Sequence, residues 1–315
     1  MITNFYNPNF HVGYLPVRVL QLNILKDFQE VAPDFINAIL LEQRENGLQK
    51  AIVINNEKTS IKESKMIAGL TPSHQIVLGE NFIQFIWNLA YSLITLLDEG
   101  IIKPQHNNEF RGYLDLSNPL IKQAVEVFNN GLLLLNEYND VIYFKQPNPE
   151  RYDPDSDDYV CKVNGAFISA LVFILAHEFA HQYYGHLPSS ATNDDQKKQQ
   201  EYDCDDYAYC KMEHQFNTTK GKTIKIGIVI ALCSIIFMNK TMKGGNEHPD
   251  NDDRLKRQIS KMALNETDNL WGIASLALMM WMNYYHIGGT IPSELEHGKE
   301  WFDILMDKVA STKLQ

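Results

Sequence analysis

From residue 167 to residue 176 the chain reads FISALVFILA, apolar on every helical face. A helix that is apolar all round belongs in a core, not on a surface. The run predicts a buried helix over about residues 160 to 184, and Gly185 predicts its stop, since glycine readily takes the left-handed conformation there. NFIQFIWNLAYSLITLLDEG, at 81 to 100, predicts a second strong helix ended by Gly100. IKQAVEVFNNGLLLLNEY predicts a third. IGIVIALCSIIFM (226 to 238) and WGIASLALMMWM (271 to 282) are 13 and 12 residues long. A membrane-spanning helix needs about 20, so both read as core helices and no span is expected.

The first third of the chain is patterned differently. GYLPVRVLQL and KAIVIN predict strands, and residues 27 to 45 predict a helix. VIYFK (141 to 145) predicts a short strand, the candidate for an exposed edge that could hold an extended peptide by strand addition. The expected fold is therefore α+β and predominantly helical, with a small N-terminal sheet over the buried helix. An N-terminal α+β lobe over 1 to 150 and a helical lobe over 151 to 315 are expected, or one continuous domain. Polar stretches at 146 to 159, 187 to 200 and 240 to 250 predict loops. The last carries Gly244 and Gly245 just before His248. Ser293 and Glu296 form a capping box that predicts the start of a C-terminal helix.

At 315 residues, with 44% hydrophobic and 21% charged positions, the composition is globular. The formal net charge of −11 argues against nucleic-acid binding, which needs a basic surface. The four cysteines (161, 204, 210, 233) form no C-x-x-C pair and read as reduced, buried thiols. MITNFYNPNF has neither a basic region nor an apolar run, so a cytoplasmic protein is expected. The D-x-D-x-D at 153 to 157 lacks the glycine and glutamate of a calcium loop, having Asp158 and Asn164 there.

The polar end of the buried helix carries the chemistry. Residues 177 to 181 read HEFAH. On a helix His177 and His181 share one face, so both imidazoles can reach one cation, and Glu178 flanks it as a base. Two histidines and a glutamate at the end of a buried helix need partners, because unpaired buried polar groups are costly. A zinc ion (Zn2+) is the simplest one. Catalytic zinc has three protein ligands and an open position. Glu201, in EYDCDDYAYC, is the leading third ligand, with Asp205 and Asp203 as the other candidates. Asp205, one turn after Glu201, could orient a ligating imidazole. His186 reads as a loop residue near the metal, and Cys204 as a small buried residue that could conceivably ligate. Zinc-dependent hydrolysis of a protein or peptide is the expected function. A non-catalytic, zinc-stabilised sensor closed by a fourth ligand and a housekeeping peptidase are the alternatives.

HEFAH followed by E-x-x-x-D, with Ala208 three residues beyond the aspartate, resembles the gluzincins, the Glu-ligated zinc metallopeptidases. HPDNDDR, at 248 to 254, is similar to the His-Pro…Arg segment of the HtpX and CAAX prenyl protease family. That resemblance implies His248 as an oxyanion or substrate contact and Arg254 as its electrostatic support. Those proteins are embedded in membranes, a departure from this chain. Over residues 160 to 260 the chain most resembles the Lit-type phage-exclusion peptidases. That resemblance implies a host-protein substrate such as elongation factor Tu, a phage-derived activator and a role in antiviral defence.

Overall fold

The computed structural model describes residues 11–138, 146–150, 158–186, 193–292 and 297–313. The first element is a 3-10 turn, Pro16–Leu20, running into α1 (Gln21–Gln29), where the alternation of GYLPVRVLQL predicts a strand. Two features favour the helix. Pro16 sits at the start of the turn, where its missing N–H costs nothing. The free N–H groups before it are captured from far along the chain: Tyr14 and Leu15 donate to Glu80 Oε1 at 2.7 and 2.6 Å, and Val17 donates to Gln84 at 3.3 Å. The predicted helix over 27 to 45 is split. α2 spans Phe35–Glu45, and Pro33 explains the break, since the residue before a proline disfavours the helical conformation.

Three short strands follow: β1 (Val53–Asn55), β2 (Ala68–Leu70) and β3 (Ile76–Gly79). β3 lies in the middle, parallel to β1 and antiparallel to β2. β2 is therefore an edge. VIYFK, the expected edge, lies outside the described residues.

α3 (Glu80–Leu97) does not stop at Gly100. It passes through a π-helical turn, Asp98–Ile102, into α4 (Lys103–His106). Gly100 is there for packing: a Cβ on it would lie 2.5 Å from the Leu114 side chain. α3 also buries a polar ladder at four-residue spacing. Glu80 and Gln84 serve the N-terminal turn, Asn88 donates to Val127 O at 3.1 Å, and Ser92 donates to Ala124 O at 2.8 Å. The last two bonds dock α5 (Pro119–Asn136), which Asn118 caps.

α6 (Asp158–Tyr183) is the central helix, packed by α3, α1, β2 and the helices that follow it. Gly185, at φ +68°, terminates it in the left-handed conformation, with His186 N–H bonded back to His181 O at 2.7 Å. α7 (Asp194–Glu213) begins inside the predicted loop 187 to 200, because Asn193 caps it by accepting from Gln196 N–H. α8 (Gly221–Ile236), α9 (Asn251–Lys261) and α10 (Asn269–Tyr284) complete the core. α11 (Gly298–Thr312) opens at His297, whose ring accepts from Glu300 N–H. The expected Ser293–Glu296 capping box lies outside the described residues.

A single cluster of buried apolar side chains extends from Leu15 to Val309. Cys204 and Cys233 are in it, but Cys161 and Cys210 are exposed, correcting the expectation of four buried thiols. Among the described residues, Glu80–His106 and Tyr159–Tyr183 are long and apolar enough to cross a membrane by composition. Their apolar windows are 78% and 72% buried against the rest of the chain, so core packing accounts for their character.

α6 and α8 approach closely at Gly227. A Cβ there would lie 2.5 Å from Ser169 Cβ and 2.7 Å from Ala166 O. Gly227→Ala gains about 1 kcal/mol of helix propensity but forces the two backbones apart, an overpacking cost of about 1–3 kcal/mol. The expected outcome is a net loss of stability in chemical denaturation. A more stable variant would contradict the packing described.

Candidate metal centre and active-site cleft

α6 and α7 lie side by side, and the residues they share build one cluster of donors. His177 Nε2 and His181 Nε2 face each other at 3.2 Å. Glu201, on α7, places Oε2 3.5 Å from His177 Nε2 and Oε1 3.7 Å from His181 Nε2. An ion about 2.0–2.1 Å from each of three tetrahedral donors holds them about 3.3–3.4 Å apart; the two imidazole nitrogens are close to that spacing, and the Glu201 carboxylate turns one oxygen to each of them. Their chemistry, two imidazoles and a carboxylate, suits zinc. Of the three acidic candidates for third ligand, Glu201 is the one whose oxygens face both imidazoles. Asp203 accepts from Gln199 on the outer side of α7.

Asp205 lies behind the cluster, with no solvent exposure. Its Oδ1 is 2.9 Å from His177 Nδ1, which leaves Nε2 as the nitrogen turned to the donor cluster. Arg254, from α9, clamps the same carboxylate with two bonds, Nε to Oδ2 at 2.8 Å and Nη2 to Oδ1 at 2.7 Å. Its Nη1 reaches Glu201 Oε2 at 3.3 Å. Arg254 thus pairs directly with the two carboxylates of α7 and reaches His248 through the Glu201 that they share. His248 Nδ1 lies 3.2 Å from Glu201 Oε1, with more than half of the side chain exposed to the cleft.

These contacts fix the charges. Burial opposes ionisation of Glu201, yet the hydrogen bonds from His177 and His248 hold it well below the usual carboxylate range. Burial likewise opposes ionisation of Asp205, and the Arg254 guanidinium overcomes it. For His177, burial favours the neutral ring, but Asp205 and Glu201 outweigh it and raise the pKa. Burial and the charge of His177 push His181 down to about 3. The two carboxylates thus favour positive charge at His177, a position that suits a cation.

Glu178 is buried at the floor of the cleft, and desolvation pushes its carboxyl up, against the opposing charge of His177. It also accepts a backbone hydrogen bond from Leu70 on β2. The cleft has a volume of about 830 Å³. One side is β2 and the segment before it, the floor is His177, Glu178 and His181, and the far side includes His248 and apolar residues such as Phe173, Leu232 and Met238.

The 240 to 250 segment is tied down beside the cleft. Gly244 packs on the His248–Pro249 backbone, where a Cβ would lie 2.0 Å from Pro249 O. Gly244 N–H donates to Asp250 Oδ1 at 3.0 Å, and Lys313 at the end of α11 bridges Asp250 and Asp252 at 2.8 and 2.6 Å. Sequence reading missed Lys313 and β2. A lone lysine 60 residues downstream has no local signature, and a three-residue strand gives too little alternation to find.

His177, His181 and Glu201 are a group that could hold a metal ion, with the Glu178 carboxylate beside them in an open cleft. Residues 76–274, well over half of the chain, match the model of the Peptidase U49 family, and the chain belongs to that family. The matched region runs from β3 into α10 and contains every residue of the donor cluster. No curated protein and no solved structure matches.

Asp206, next to Asp205, staples α7 to α9 through Arg257 Nη2 at 2.7 Å, Gln258 Nε2 at 2.9 Å and Lys261. Burial opposes its ionisation, but these donors lower its pKa to about 2. A carboxylate whose folded pKa is depressed stabilises the fold above its unfolded pKa of about 3.9 and loses that contribution as pH falls through the folded value. Asp206→Asn should therefore lower the denaturation midpoint at neutral pH, with the gap to the parent closing between pH about 4 and about 2. A gap that is constant across this range would show that the staple contributes nothing.

Proposed function

We propose that this peptidase is a zinc-dependent endopeptidase in which His177, His181 and Glu201 hold the metal. The observation that carries the reading is the convergence of one donor atom from each of the three residues within 4.8 Å of one another, with Glu178 beside them on the cleft floor. Zinc, when bound, supplies Lewis acidity to water and to a scissile carbonyl. Glu178 takes the proton of the attacking water and returns it to the leaving amine. Its raised pKa suits that exchange, since a base works best with a pKa near the operating pH. His248, exposed to the cleft and held by Glu201, donates to the developing oxyanion. Asp205 and Arg254 position His177 and Glu201.

β2 is the edge that receives the substrate backbone. Ile67 O accepts from Gly79 and Thr71 N–H donates to Gln75 O, so residues 67, 69 and 71 face β3. Alternation then turns the N–H and C=O of Ala68 and the C=O of Leu70 outward, toward the cleft, while the Leu70 N–H is taken by Glu178. An extended peptide pairing with them would lie beside Glu178. The finer choice of substrate, a host protein such as elongation factor Tu cleaved on a phage-derived signal, follows from the resemblance to the Lit-type peptidases.

Two outcomes test this reading. Glu178→Gln should keep one zinc per chain and the fold while losing proteolysis by about 10²–10⁴-fold; substantial remaining activity would exclude Glu178 as the base. Ala68→Pro removes an outward N–H and leaves the ladder to β3 intact, as edge strands tolerate. One peptide hydrogen bond is worth about 0.5–1.5 kcal/mol, so KM should rise about 2–10-fold with kcat little changed. An unchanged KM would remove β2 from the substrate site.

A further inference from the structure

We propose a second, thiol-containing metal site made by His181, His186 and Cys204, which takes a thiophilic ion at the expense of the hydrolytic set. Each of the three residues places one donor atom within 4.8 Å of the others. His186 Nδ1 lies 3.6 Å from Cys204 Sγ, and the rings of His181 and His186 are 5.6 Å apart.

The fold holds these donors in place. Gly185 turns the chain at the end of α6 in the left-handed conformation, and the bond from His186 N–H to His181 O returns His186 over the last turn of the helix. Tyr184 flanks the His186 ring at 5.4 Å. Cys204 is one turn after Glu201 on α7 and completely buried. His186 lines the cleft, so an ion has an entry path. A weak S–H···N bond inside the core would account for the Cys204–His186 contact alone. It leaves unexplained why His181 converges on the same point.

Two imidazoles and a sulfur form a softer donor set than two imidazoles and a carboxylate, and soft ions such as cadmium prefer thiolate. Binding exchanges the Cys204 S–H proton for a metal–sulfur bond and releases the proton to solvent. Glu201, held by Arg254, offers a harder oxygen donor, which makes the His177–His181–Glu201 set the one for zinc and leaves the thiol set to the softer ion. His181 belongs to both sets. An ion held by His186 and Cys204 draws it away, so filling the thiol site empties the hydrolytic one. Excess thiophilic metal would then switch the peptidase off through a defined site. That consequence rests on the proposed function; the site itself does not.

The test uses the full chain. Metal-free protein titrated with Cd²⁺ should develop a thiolate-to-cadmium charge-transfer band. The band should vanish in Cys204→Ser, weaken in His186→Ala and persist in Glu201→Gln, with circular dichroism showing each variant folded. Zinc-loaded parent should release its zinc to a chromogenic chelator when Cd²⁺ is added, and Cys204→Ser should release far less. A band that survives Cys204→Ser, or zinc release equal in parent and Cys204→Ser, overturns the site, the latter meaning simple exchange in the hydrolytic set. If Glu201→Gln binds its first zinc as tightly as the parent, the proposed hydrolytic set fails while the cadmium band still decides the thiol site.

Discussion

The clamp of Arg254 on Asp205 is the contact on which the site depends. A carboxylate with no solvent exposure is costly to bury as a charge, and only a partner of equal quality offsets that cost. Arg254 provides it in the two-bond geometry that guanidinium and carboxylate share. Three helices meet there: α6 through His177, α7 through Asp205 and Glu201, and α9 through Arg254. Loss of the guanidinium would leave the buried Asp205 with the His177 ring as its remaining side-chain partner, and breaking a buried pair in this way commonly costs about 3–5 kcal/mol. The donor spacing depends on the same clamp, because Asp205 fixes the orientation of the His177 ring and Arg254 also holds Glu201.

Around this polar centre the chain solves a packing problem. α6 is apolar on all sides, so it must be enclosed by other helices, and small residues such as Gly227 let α8 come close. The cleft opens where that enclosure ends, at the polar terminus of α6. The sheet contributes little core, and its β2 edge lines the cleft. Its place against α6 and α3 makes that edge a wall of the cleft.

Much of this was legible in the chain itself because it is encoded by periodicity. The buried helix, its stop at Gly185, the convergence of His177 and His181, and the shared face of Glu201 and Asp205 all follow from a 3.6-residue repeat. What was not legible depends on partners remote in sequence. The segment around Val17 and Val19 alternates like a strand, yet becomes helical because Glu80 and Gln84 take its free N–H groups. Gly100 has the identity of a helix stop but serves the Leu114 contact. The sequence motif picks out Arg254, but only the crossing of α7 and α9 shows which carboxylate it meets.

The central claim is that the α6–α7 donor set, braced by the Asp205–Arg254 clamp, is the resident zinc site of a peptidase. X-ray absorption at the zinc edge, on the full chain loaded with one equivalent, tests it most directly. The account predicts nitrogen and oxygen scatterers alone at about 2.0–2.1 Å, with the imidazole signal halved in His177→Ala. A sulfur scatterer at about 2.3 Å, or a spectrum unchanged by His177→Ala, would contradict it.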